Sequence, residues 1–91
     1  MLKTALIGLG RIGMAYHLPE ILKHPEYRLI AVADVDPSRL EEASALSGAR
    51  GYADYREMLR KEELDLVVIA SPTLFHKEQA VAAMAAGCGV I

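Results

Sequence analysis

One stretch constrains this chain more than any other: Lys3-Thr4-Ala5-Leu6-Ile7-Gly8-Leu9-Gly10-Arg11-Ile12-Gly13. A short apolar run feeds straight into G-x-G-x-x-G, and a segment of helical character follows. Few folds need a strand to turn that tightly into a helix while leaving the turn bare of side chains. A second apolar run, Leu29-Ile30-Ala31-Val32-Ala33, closes on Asp34. Asp34 lies about 20 residues beyond Gly13, the spacing at which a dinucleotide-binding βαβ unit offers an acid to a ribose hydroxyl. The glycine pattern alone is weak. Set after a strand, before a helix and ahead of the acid, it is specific.

Bulk properties narrow the field. At 91 residues the chain is one small domain, and 53% hydrophobic residues argue against disorder. A net charge of −2 with no Lys/Arg run excludes a nucleic-acid footprint. No apolar stretch reaches the roughly 20 residues that span a bilayer. The glycines interrupt the N-terminal apolar run, so it does not read as a signal peptide. Cys88 is the single cysteine and has no intrachain partner. Together these features predict a cytoplasmic chain without nucleic-acid or membrane partners.

Strand and helix signals alternate from end to end. Strands are predicted at about 3–7, 28–33, 49–53, 65–70 and from 89 onward. The first helix should run from Arg11 to Lys23 with Ile12, Ala15, Leu18 and Leu22 on one side. Pro19 lacks a backbone donor and should kink it or split it in two. Asp36-Pro37 reads as N-cap and first residue of the second helix, with Leu40, Ala43 and Leu46 or Ser47 inward and Gly48 as its stop. Asp54 should cap the third helix, with Glu57 as capping-box partner. The fourth, from about Leu74 to Ala86, should bury Ala80, Val81, Met84 and Ala85. This alternation implies right-handed crossovers. The predicted fold is α/β: a Rossmann-type, doubly wound parallel sheet in three α/β/α layers, order 3-2-1-4-5, incomplete at its C-terminal edge.

The glycines have separate jobs. Gly8 lets the chain turn out of the first strand, Gly10 leaves room for a pyrophosphate, and Gly13 allows close helix packing. Free N–H groups and the helix dipole favour phosphate there, so Leu9, Gly10, Arg11 and Ile12 should line it. Asp34 accepts hydrogen bonds from the ribose hydroxyls of NAD and repels the 2′-phosphate of NADP. Val35 follows, where Arg, Ser or Lys would favour NADP. Arg11 and Arg39 could each meet a 2′-phosphate, which keeps NADP open; each also reads as a solvated surface arginine.

Ser71-Pro72-Thr73-Leu74-Phe75-His76 follows the fourth strand. Ligands in open α/β sheets collect at the carboxyl ends of the strands, so this loop should face the glycine loop. Thr73 reads as an N-cap and His76 as either a site or a surface histidine. Tyr52 and Tyr55 should cover the sheet edge, and Cys88 should be a buried residue of the fifth strand. No cluster has metal-ligand spacing.

These residues, with Tyr52-Ala53-Asp54-Tyr55-Arg56-Glu57-Met58-Leu59, Asp65 to Thr73 and Ala80 to Gly87, resemble the glucose–fructose oxidoreductase/inositol dehydrogenase/rhizopine catabolism (Gfo/Idh/MocA) family along essentially the whole chain. The resemblance implies an NAD(P)-dependent oxidoreductase acting on a sugar, inositol or related alcohol. It implies an N-terminal Rossmann domain, a C-terminal domain that supplies substrate contacts, and a homo-oligomer. Gly8, Gly10 and Gly13 match the family's phosphate loop and Asp34 its ribose acid. Ser71, Pro72, Thr73 and His76 match its Thr-Pro-Asn-x-x-His region near the nicotinamide, with Ser for Thr and Thr for Asn. The family's Glu-Lys-Pro motif, whose lysine assists proton transfer, would follow the fifth strand. The expectation is therefore that residues 1–91 are the front, cofactor-binding portion of a longer enzyme. A non-catalytic nucleotide-binding or redox-sensing module is the alternative.

Overall fold

A computed structural model describes residues 1–91. Five parallel strands, β1 (Leu2–Ile7), β2 (Tyr27–Ala33), β3 (Arg50–Tyr52), β4 (Leu66–Ile69) and β5 (Gly89–Val90), form one sheet in the order β3-β2-β1-β4-β5. The doubly wound order predicted from the sequence is the observed one. Consecutive core residues of each central strand point to opposite faces, so the apolar runs feed two separate cores. Ala5, Ile7, Ala31, Ala33 and Val67 pack with Met58 and Ala83 on one face. Leu6, Val32 and Val68 pack with Leu18, Ile21 and Ala43 on the other. Helices α1 (Leu18–Lys23) and α2 (Pro37–Ser47) thus cover one side, and α3 (Tyr55–Lys61) and α4 (Thr73–Ala85) the other. No helix is long and apolar enough to cross a membrane.

The first helical path does divide, ahead of Pro19. Residues Gly13–His17 form a π-helical turn before α1, and the Leu18 N–H donates to the Gly13 carbonyl. A π turn is wider than an α turn, so it rotates every later side chain. Leu18 and Ile21 are therefore buried, whereas Ile12, Ala15 and Leu22 are exposed, unlike the face expected from a 3.6-residue period. At α2, Asp36 caps by accepting from the Ser38 N–H at 2.9 Å, and Gly48 ends the helix with φ 77°. Leu46 is exposed, and Ser47 instead donates to the Ala43 carbonyl. Asp54 caps α3 through the Arg56 N–H at 2.9 Å. Glu57 closes no capping box: its carboxylate lies 3.9 Å from Lys61, one turn further on.

At α4 the expected inward face is off by about one position. Gln79 and Ala83 are buried, while Val81, Met84 and Ala85 are exposed and Ala80 is half-buried. An alanine-rich helix carries little periodic signal, and in the observed rotation His76 and Gln79 both bond to Ser71. Cys88 is buried but precedes β5, and burial pushes its thiol pKa up. Tyr52 and Tyr55 pack against the core and send their hydroxyls to Glu62 and Glu78.

Candidate functional site

Strand register assembles the site. Ile7 pairs with Ala33 on one side and Ile69 on the other, and Ala33 pairs with Tyr52. Four strands therefore end level. The residues that follow them, Gly8, Asp34, Ala53 and Ala70, emerge at one edge. A crevice of about 450 Å³ opens there. The glycine loop lines it with Gly8, Gly10, Arg11 and Ile12, and the β2 end with Asp34, Val35 and Arg39. Opposite stand Ser71, Pro72, Thr73, Phe75 and Gln79, with Ala53 and Tyr55 along one side.

The glycines differ in what demands them. Gly8 has φ +99°, and a Cβ there would lie 2.5 Å from the Ser71 backbone nitrogen. Its bareness is required by the fold: the two loops touch at this point. A Cβ on Gly13 would overlap the Gly8 carbonyl oxygen, so Gly13 closes the loop on itself. Gly10 has nothing within 4 Å of its notional Cβ. The fold makes no demand for a glycine there, and its bare backbone stands open on the crevice.

Asp34 is held from two sides. Its Oδ2 accepts from the Leu9 N–H at 2.7 Å and its Oδ1 from the Asp36 N–H at 2.9 Å. These bonds fix the carboxylate at the crevice mouth before any ligand arrives, and both oxygens keep lone pairs for further donors. The Leu9 side chain lies in the core beneath the loop, so Leu9 contributes backbone rather than lining. Arg39 is drawn to Asp36 at 3.7 Å, and the Ser38 bonds hold the Asp36 carboxyl below the usual carboxylate range.

The β4–α4 loop departs further from expectation. Pro72, not Thr73, is the N-cap of α4, and no side chain caps the helix. Thr73 is its exposed first residue and faces the crevice with an unengaged hydroxyl. His76 does not line the crevice. Its Nε2 donates to the Ser71 carbonyl, which can only accept, so the ring brackets the loop from behind. The Ser71 hydroxyl donates to Oε1 of buried Gln79. Sequence reasoning missed Gln79, Phe75, Ala53 and Tyr55 as lining. For Gln79 a signal existed: it is polar, three residues after His76, and the eight residues between it and Cys88 hold no other polar side chain.

A parallel doubly wound sheet, a glycine loop entering a helix at its switch point and an acid fixed at the neighbouring strand end define a dinucleotide-binding Rossmann domain. The chain matches the family model for the Gfo/Idh/MocA oxidoreductase family, NAD-binding Rossmann fold, over residues 2–91, and it belongs to that family. It is 35% identical over 94 residues to D-glucoside 3-dehydrogenase of Escherichia coli, covering 99% of this chain and 26% of that protein. Myo-inositol 2-dehydrogenase from Lactobacillus plantarum superposes with a TM-score of 0.93 at 36% identity, covering 98% of this chain and 26% of that one. Scyllo-inositol dehydrogenase from Lactobacillus casei, solved with NAD(H) and scyllo-inositol, gives 0.92 at 33% identity, covering 99% and 27%. The chain thus spans about a quarter of the length of these relatives.

Proposed function

We propose that this chain holds NAD for an oxidoreductase that moves a hydride between the nicotinamide and a sugar, inositol or related alcohol. One observation carries the cofactor reading. The space above Gly10 is open while Asp34 stands pre-oriented beside it. Gly8, Gly10, Arg11, Ile12 and Gly13 shape the pyrophosphate seat, with the Leu9 backbone tying it to Asp34. Asp34 takes the adenosine ribose, between Val35 and Arg39. Ser71, Pro72 and Thr73 face the nicotinamide half, and His76 steadies their loop. Bound NAD would supply the hydride chemistry; these residues bind and orient it.

The substrate class rests on the similarity to glucoside and inositol dehydrogenases. Substrate contacts and proton transfer would come from a second domain outside these residues, in a cytoplasmic homo-oligomer. Isothermal titration with NADH and NADPH tests the cofactor reading. One NADH per chain is expected, bound at least several-fold tighter than NADPH. Equal affinity would remove Asp34 as the discriminating group, and no binding of either would overturn the function.

A further inference from the structure

Thr4 and Gln79 are the buried polar residues of the chain, and of the two only Gln79 faces the crevice. Gln79 is 8% exposed, and its Oε1 accepts from Ser71. Its amide Nε2 has no partner within the chain. Every fully buried side-chain nitrogen and oxygen is hydrogen-bonded, so Nε2 reaches the open space that Gln79 lines. An amide donor this deeply set loses most of its water and gains from a matching acceptor.

Ser71 completes the arrangement. With its proton given to Gln79, the Ser71 Oγ presents lone pairs to the crevice. The pair therefore offers one donor and one acceptor, side by side. Turning the Gln79 amide over exchanges the roles and leaves the same offer: Nε2 then donates to Oγ, the serine proton is free and Oε1 accepts. One donor with one acceptor is the complement of a primary carboxamide. The pair sits at the β4 end of the crevice, across β1 from Asp34. A dinucleotide whose adenosine ribose meets Asp34 lays its other half there. Phe75 and Pro72 supply apolar surface at the same end, suited to a flat ring.

We propose that Ser71 and Gln79 together recognise the carboxamide of the nicotinamide ring, Gln79 both contacting it and positioning Ser71. The inference rests on the cofactor reading above. Calorimetric titration of the 91-residue chain with NADH and with ADP-ribose, which lacks the nicotinamide half, separates the two. Gln79→Met keeps the length and removes both polar groups. It should weaken NADH about tenfold and leave ADP-ribose within about twofold, the scale of one or two lost hydrogen bonds. Gln79→Glu retains acceptors without the donor and should show the same selective loss, as should Ser71→Ala. A structural role alone would lower both ligands in parallel; parallel loss, or no loss, overturns the proposal. If Gln79→Met fails to fold, Gln79→Glu and Ser71→Ala decide by the same ratio. Failure of the unsubstituted chain to bind ADP-ribose would instead overturn the cofactor reading, and this inference with it.

Discussion

The glycine loop and the β4–α4 loop face each other across one crevice, yet they are built by opposite means. The glycine loop is organised by backbone: positive φ at Gly8, the Gly13 contact with the Gly8 carbonyl, and the Leu9 N–H holding Asp34. The β4–α4 loop is organised by side chains. His76 holds the Ser71 carbonyl, and Gln79 receives the Ser71 hydroxyl. A backbone-built site tolerates almost no substitution but is written in local sequence. A side-chain-built site tolerates more and is spread over a helix turn and a half. The two meet where Gly8 abuts the Ser71 backbone.

Breaking that meeting point should have the largest effect. Gly8→Ala combines a left-handed backbone with an overlap against Ser71 and should cost about 3 kcal/mol or more. Chemical denaturation measures it, and a loss below about 1 kcal/mol would mean the loops are not in rigid contact. Next comes Gly10→Ala, which sharpens the contrast within one loop. Stability should change by less than about 0.5 kcal/mol, because nothing meets the new methyl. NADH affinity should fall about tenfold or more as the methyl enters ligand space. A variant that binds normally would show that the pyrophosphate lies elsewhere.

Asp34→Ser should narrow or reverse the preference for NADH over NADPH, through loss of charged acceptors worth about 1.5–3 kcal/mol. An unchanged ratio would show that Asp34 does not discriminate between the two cofactors. On the other loop, Thr73→Ala should leave the melting temperature unaltered, since Thr73 caps nothing. It should weaken NADH by about fivefold if its hydroxyl meets the cofactor; a destabilised variant would show that it caps after all.

The smallest effect concerns the sheet edge beneath the adenosine end. Arg50 and Tyr52 of β3 bind Glu62, at 2.5 Å and 2.6 Å, and Arg50 holds its carboxyl down to about 2 from an ordinary 4.5. A group whose pKa is depressed by folding stabilises the fold above its unfolded value and ceases to as pH falls toward its folded one. Stability should therefore decline between about pH 4.5 and 2 by a component that Glu62→Gln abolishes. Urea titrations across that range measure it, and identical pH profiles would show that the edge contributes nothing.

Much of this is legible in the sequence. The strand order, the capping by Asp36 and Asp54, the stop at Gly48 and the convergence of Gly10 with Asp34 all follow from residue types at fixed spacings. The misreadings share a cause. Apolar period alone misplaces the faces of the first and fourth helices: a π turn rotates one, and the other turns the polar His76 and Gln79 toward Ser71. Glu57 and Thr73 matched capping patterns that a lysine one turn on and a proline one residue earlier displaced.

By itself the sequence determined the alternation of strands and helices, the glycine turn and the acid at the second strand's end, because each depends on backbone geometry within a few residues. Only the tertiary structure decided that Gln79 faces the crevice, that His76 stands behind its loop and that Gly8 is pressed against Ser71. Those outcomes depend on how strands distant in sequence come into register and how far a helix turns about its axis, which no local pattern encodes.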